Sequence, residues 1–209
     1  MVEAVSGGVI DFSACDAALE WSVATRAKVS GYNGDAFLLR RDERTACAYV
    51  IDGIGSGRDA HASATASVDV LSGLEACSLE RQFSAVHKAL SGHRGVALGC
   101  AEIDVTKRWI QWAAIGDIDG LVMRSDGSTE SMIQRGGTLG ISYSNPHIVH
   151  CSMPRGDVLV MTSDGVSRRF REALPQADNL DKFTASVLEC YGRQSDDCIV
   201  LALRVLAKG

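Results

Sequence analysis

Proline is nearly missing from this chain, with 3 among 209 residues, and no Ser/Gly-rich run stands in for it. Nothing is available to build a linker, so one domain spanning residues 1–209 is expected. Long apolar runs are missing too. No segment approaches the ~20 residues of a membrane span, and the start, "MVEAVSGGVIDFS", has neither the basic head nor the apolar core of a secretory signal. A cytoplasmic location is the expectation. The seven cysteines (Cys15, Cys47, Cys77, Cys100, Cys151, Cys190, Cys198) form no C-x-x-C pair, and the five histidines show no paired ligand spacing, which argues against zinc. An odd, scattered set of cysteines reads as free and mostly buried thiols. Positive charge is scarce: 21 Lys+Arg against 26 Asp+Glu leave −5, the wrong sign for a nucleic-acid surface. One local basic cluster, Arg168, Arg169 and Arg171, reads as a solvated helix face.

What is present is ordinary globular material, 46% hydrophobic and 22% charged. Strand-like runs dominate: 18–28, the hairpin "DAFLLRRDERTACAYVI" turning on Asp42–Arg44, 95–104, 108–116, 120–125, 147–153, 157–163 and 198–206. Two helices in succession, 59–76 and 79–91, interrupt them, and a third covers about 178–191. In the first, Ala62, Ala66, Val70 and Leu74 recur four apart; in the second, Leu79, Phe83, Val86 and Leu90 form one stripe. This order lacks the βαβ alternation of a parallel sheet. It predicts an α+β fold, two packed antiparallel sheets with helices outside.

Acidic residues recur where an apolar strand meets a glycine turn: Asp35 in "NGDAF", Asp52 in "VIDGIGSG", Asp117 in "IGDIDG", Asp164 in "TSDGV", and Asp196–Asp197 in "QSDDCIVL". Any one of them is explained by turn chemistry, as "SDG" at 125–127 is. The glycine turn after Asp52 could hold a phosphate on its amides, an adenine or a metal ion on the Asp, or nothing. Its glycines fall one and three residues after the Asp, out of register with the D-x-G-x-G adenine box of GHKL-type ATP-binding proteins, and no Gly-Lys-Ser/Thr of a P-loop follows. The set says more than its members. Carboxylates from several strand ends converge only with a cation among them, because alone they repel, and an all-oxygen set suits Mg²⁺ or Mn²⁺.

In order along residues 31–203, "GDAF", "DGIGSG" opening a helix, "RGVALGCAEI", "IGD", "MTSDGV" and "SDDCIVL" resemble the metal-dependent (type 2C) Ser/Thr protein phosphatases, and among them the bacterial SpoIIE branch. Each motif is weak; six in family order are specific. Ser56, where many relatives carry His, is shared with the stand-alone stressosome phosphatases of that branch. The resemblance implies a four-layer αββα sandwich and two divalent cations, Mn²⁺ or Mg²⁺. Asp52 would bridge them and activate the attacking water, the Gly53 carbonyl would add a ligand, Asp164 and Asp196 (rather than Asp197) would complete one ion's shell, and Asp35 would approach the other. Asp117 matches a position that binds an extra ion in some members. The amides of Gly55, Ser56 and Gly57 are the candidates for receiving phosphoryl oxygens, since the arginine that animal relatives carry shortly before Asp35 has no counterpart here beyond Lys28. The implied activity is hydrolysis of phosphoserine or phosphothreonine on STAS-domain regulators of a bacterial stressosome, similar to RsbR and RsbS, which resets a stress response. A STAS anti-anti-sigma factor is the alternative substrate, and a non-catalytic pseudophosphatase that only docks a partner is the alternative class. No nucleic-acid or membrane partner is expected, and a monomer is the working expectation.

Overall fold

The computed structural model describes residues 4–12, 15–172 and 177–207. Four strands open the fold: β1 (Ala4–Phe12), β2 (Ala17–Arg26), β3 (Asp35–Arg41) and β4 (Thr45–Gly53). Helices α1 (Arg58–Gly73) and α2 (Leu79–Ala89) follow, then strands β5 (Val96–Asp104), β6 (Trp109–Ile115) and β7 (Asp119–Met123). Short strands β8 (Thr129–Ser131), β9 (Gly137–Thr138), β10 (Ser142–Tyr143) and β11 (Val149–Ser152) lead to β12 (Val158–Thr162), helix α3 (Leu180–Tyr191) and β13 (Cys198–Leu206).

One sheet runs β1-β2-β13-β12-β7-β8, the other β11-β6-β5-β4-β3, and β9 pairs with β10 apart from both. Every neighbouring pair of strands is antiparallel. Trp112, Ile110, Val50, Leu159, Ile199 and Leu201 fill the space between the two sheets. Tyr49, Ile51, Leu71, Phe83 and Leu98 pack α1 and α2 on the outer face of the second sheet. Val160, Val200, Phe183 and Val187 pack α3 on the outer face of the first. The result is the αββα sandwich. It accounts for "CIVLALRVL" being apolar almost throughout: β13 is central, covered by the other sheet on one face and by α3 on the other.

Two local expectations are corrected. The buried face of α1 is Ala60, Ser63, Ala64, Ser67 and Leu71, displaced from the stripe through Ala62 and Ala66. Small residues win that face because α1 lies close on the sheet, and the two serines remain satisfied by donating to the carbonyls of Asp59 and Ser63. The arginines of 168–172 lie on a single 3₁₀ turn, not a solvated helix face, and two of them are engaged, as described below. All seven cysteines are free, but only Cys100, Cys151 and Cys198 are buried. Among the described residues no helix is long and apolar enough to cross a membrane.

Candidate active site

The site begins with a turn at the far end of a hairpin. Asp42 Oδ1 accepts from the amides of Arg44 (3.0 Å) and Thr45 (2.9 Å), closing the β3–β4 connection. That turn fixes the register, Arg41 opposite Ala46, and at the other end the same register sets Asp35 opposite Asp52. Two carboxylates thus meet across one pair of strands. Gly53 follows, its amide donating to the Gly34 carbonyl at 2.9 Å. Only glycine fits there: a Cβ would stand 2.2 Å from the Ala60 carbonyl oxygen, where α1 crosses the end of β4. The close approach of α1 puts its N-terminus beside the two carboxylates.

The turn between them carries positive φ at Gly55 (93°) and Gly57 (76°), conformations that favour glycine. Gly57 is the N-cap, and no side chain caps the helix amides, leaving donors and the positive helix end available to an anion. Arg94 flanks the turn. Its Nη1 lies 2.9 Å from where a Gly55 Cβ would be, and its Nη2 pairs with Asp59 at 2.8 Å.

The partner sheet supplies the remaining carboxylates from the loops after β12 and before β13. Asp164 is close enough to Asp52 to share a hydrogen bond with it, and it senses the charges of Asp196 and Asp117. Asp196 is half-buried and Asp117 exposed. Ser163 donates to Asp35 Oδ2 at 2.5 Å and accepts from the Ile199 amide at 3.2 Å, tying β12, β13 and β3 together beneath the site. Asp197 is buried; its Oδ1 accepts from the Lys28 amide at 2.8 Å, while Oδ2, packed against Gly34, has no hydrogen-bond partner.

Electrostatics show what this convergence costs. Asp35 is pushed up to about 8, first by burial and then by Asp197, Asp164 and Asp196, with the Ser163 hydroxyl opposing. Asp52 is pushed up to about 9, first by burial and then by Asp35, Asp164, Asp196 and Asp197. Asp164 is raised by burial and by Asp196 and Asp117, with Arg193 pulling it down. Carboxylates packed against carboxylates resist ionisation unless positive charge enters. Among the described residues no three side chains are already disposed as a closed cage around an ion. The donor set nevertheless fits a hard divalent cation, being all oxygen, with one buried carboxylate oxygen left unpartnered at its edge.

The structure therefore brings Asp35, Asp52, Asp164 and Asp196 to one end of the sandwich, with Asp117 at the rim and the Gly55–Gly57 turn beside them. Lys28 contributes its backbone amide there, donated to Asp197. The sequence reading missed Ser163, whose neighbour in "TSDG" drew the attention, and Arg94, visible only as the start of "RGVALGC". It also missed Asp119, which is buried and pairs with Arg171 and, at 3.6 Å, with Arg168. That pairing corrects the reading of the arginine cluster as merely solvated.

A family model for "Stage II sporulation protein E (SpoIIE)" matches residues 42–206, most of the chain, and the chain belongs to that family of metal-dependent phosphoprotein phosphatases. Individual relatives sharpen the placement. Phosphoserine phosphatase RsbX of Bacillus subtilis (strain 168) is 19% identical over 165 residues, 78% of this chain and 83% of its own length. A crystal structure of RsbX in complex with magnesium has a TM-score of 0.82 at 18% identity, covering 96% of this chain and 100% of that one. A chain from "The bacterial stressosome: a modular system that has been adapted to control secondary messenger signaling" has a TM-score of 0.80 at 28% identity, covering 89% of this chain and 99% of that one.

Proposed function

We propose that this protein hydrolyses phosphoserine or phosphothreonine on STAS-domain regulators of a stressosome, using divalent cations held at the acidic end of the sandwich. The observation that carries the reading is the meeting of Asp35 and Asp52 across β3–β4 with Asp164 and Asp196 from the opposite sheet. Asp52, Asp35, Asp164 and Asp196, with the Gly53 carbonyl, would hold two ions, manganese or magnesium, and Asp117 would serve an additional one. Bound there, the ions supply Lewis acidity toward phosphoryl oxygens and make hydroxide accessible near neutral pH.

The chain's own residues do the rest. The uncapped N-terminus of α1 and the amides of Gly55–Gly57 receive the phosphoryl oxygens, with the helix dipole favouring the anion. Arg94, held by Asp59, adds positive charge on the same side. Ser163 orients Asp35 through its hydroxyl, and Asp197 locks the loop that carries Asp196 to the Lys28 amide. Such fixed dipoles need no reorganisation during phosphoryl transfer. No cysteine is required as nucleophile: Cys198, the one beside Asp197, is buried and donates to the Gly165 carbonyl.

Support for the substrate class comes from likeness to RsbX, a phosphoserine phosphatase, and to a chain of a bacterial stressosome. The test is manganese-dependent phosphate release from p-nitrophenyl phosphate and from a phosphorylated STAS protein, for wild type and Asp52→Asn. Loss of at least about a thousandfold in turnover by a folded Asp52→Asn is expected, since the substitution removes the charge shared by the ions. Near-wild-type turnover by that variant refutes the assignment. Turnover of an anti-anti-sigma STAS protein in preference to a stressosome one would move the substrate, not the chemistry.

A further inference from the structure

Next to the acidic centre lies an open pocket of about 460 Å³ lined by both signs of charge. Asp117, Asp119 and Asp164 line it together with Arg168, Arg169 and Arg193; Asp35 and Asp52 do not. Its size falls in the ~300–1,000 Å³ range of ligand pockets. We propose that this pocket is where the substrate chain is held beside its phosphorylated residue, and that Arg169 and Arg193 bind acidic side chains flanking the phosphoserine. The proposal rests on the phosphatase reading above and adds the sequence character of the substrate.

The arginines are placed rather than loose. Phe170 is buried against α3, which forces Arg169, its neighbour on the 3₁₀ turn, outward. The segments carrying the two arginines are stitched together. The Ser167 amide donates to the Tyr191 carbonyl at 2.9 Å and the Arg193 amide to the Gly165 carbonyl at 2.8 Å. Arg193 therefore shares a turn with Asp196 and abuts the Asp164 turn, and its charge reaches Asp164. The partners are decisive. Arg171 and Arg168 both pair with Asp119, whereas Arg169 and Arg193 enter no ion pair within 4.0 Å among the described residues. In a chain of net charge −5, two guanidiniums thus line one pocket and form no direct ion pair, Arg193 reaching Asp164 only through its field. They offer an anionic segment donors beside the hydrolytic centre but not over it. Arginine suits carboxylates there through its planar fork of donors.

The experiment compares phosphoserine peptides that are identical except for two flanking positions on each side, which are Asp/Glu, Asn/Gln or Lys. Phosphate release is measured with manganese for wild type and for Arg169→Glu/Arg193→Glu. Wild type is expected to show kcat/KM about tenfold higher for the acidic than for the neutral flanks at low salt, a preference that shrinks as salt approaches ~0.5 M. The double variant is expected to reverse the order and turn over the Lys-flanked peptide best, which also certifies that it is folded. Turnover without flank preference in wild type, or the wild-type order retained in the variant, overturns this proposal and leaves the phosphatase reading standing. If wild type hydrolyses none of the peptides, the phosphatase reading fails, and peptide anisotropy decides the surface. Binding of the acidic peptide that is lost in the double variant supports it; equal binding by both proteins overturns it.

Discussion

Strand β12 has an aspartate just before it and another just after it, and the two live in opposite environments. Asp157, 2% exposed, accepts from Arg124 Nη1 at 2.8 Å and from the Ser125 amide at 3.0 Å. At the same end of the sandwich Asp104, 6% exposed, accepts from the amides of Thr106 (3.0 Å) and Lys107 (2.8 Å). At the other end Asp164 faces Asp52, Asp196 and Asp117, and Asp35, as buried as Asp104, has Ser163 as its side-chain donor among three carboxylates. Asp35 and Asp104 are equally buried, while Asp52 is half-buried and Asp164 exposed; what separates the two ends is the company. A buried carboxylate surrounded by donors is a structural joint, stable as it stands. A buried carboxylate surrounded by carboxylates destabilises the bare fold and is explained only by a positive guest.

The sharpest way to break this comparison is to neutralise one member at each end. Asp157→Asn removes the charge that holds Arg124 and leaves its largely buried guanidinium with exposed Glu130 as its remaining anionic partner, beside the neutral Ser152 carbonyl and Cys151 sulfur. It is expected to cost about 2–4 kcal/mol, roughly 5–15 °C in Tm for a chain of this size. Asp52→Asn removes a charge that its neighbours resist and is expected to stabilise cation-free protein by about 1 kcal/mol, raising Tm by roughly 2–4 °C, while abolishing activity. Thermal melts in EDTA measure both. If the two substitutions shift Tm in the same direction, the distinction between the ends is void.

The contrast also has a pH signature. Burial and the neighbouring carboxylates push Asp52 up from the ordinary 3.8 of an aspartate to about 9 in the folded state, so between those values the folded state binds the extra proton. Stability then falls as pH rises through that window, the reverse of an ion-paired carboxylate. The difference in Tm between cation-free Asp52→Asn and wild type should therefore widen steadily from pH 5 to about 9. A saturating divalent cation, which binds the ionised form, should erase or invert it. A difference that is flat with pH in EDTA would mean that Asp52 is not held against its charge.

Much of this was legible in the sequence because it is local. The Asp42–Arg44 turn implies the hairpin, and the hairpin implies that Asp35 and Asp52 face each other. Apolar runs such as "CIVLALRVL" announce a doubly covered strand. What escaped is nonlocal or unpatterned. β1 is exposed over nearly its whole length and includes Gly7 and Gly8, so no alternation marks it; it exists by pairing along β2. Asp119, two residues after Asp117, looks equivalent to it on paper, yet one is a rim carboxylate and the other a buried anchor for arginines about fifty residues away. In "SDD" no rule of spacing tells that Asp197 is the buried one, its carboxylate accepting from the Lys28 amide, while Asp196 is half-buried.

The finest test lies in Ser163, where the two kinds of environment touch. Its hydroxyl is the one donor that tempers Asp35, and it is spent on a strand junction as well, accepting from Ile199. Ser163→Ala should cost about 1–3 kcal/mol, because it leaves a buried carboxylate without its side-chain donor and takes an acceptor from the Ile199 amide. It should also let Asp35 rise further, since the Ser163 hydroxyl is the main influence that lowers it. The cation must then displace a more tightly held proton, so apparent manganese affinity is expected to fall a few-fold near neutral pH and to recover as pH rises. A serine that merely braced the strands would give the stability loss without the pH-dependent affinity, and calorimetric titration of manganese at two pH values separates the two roles.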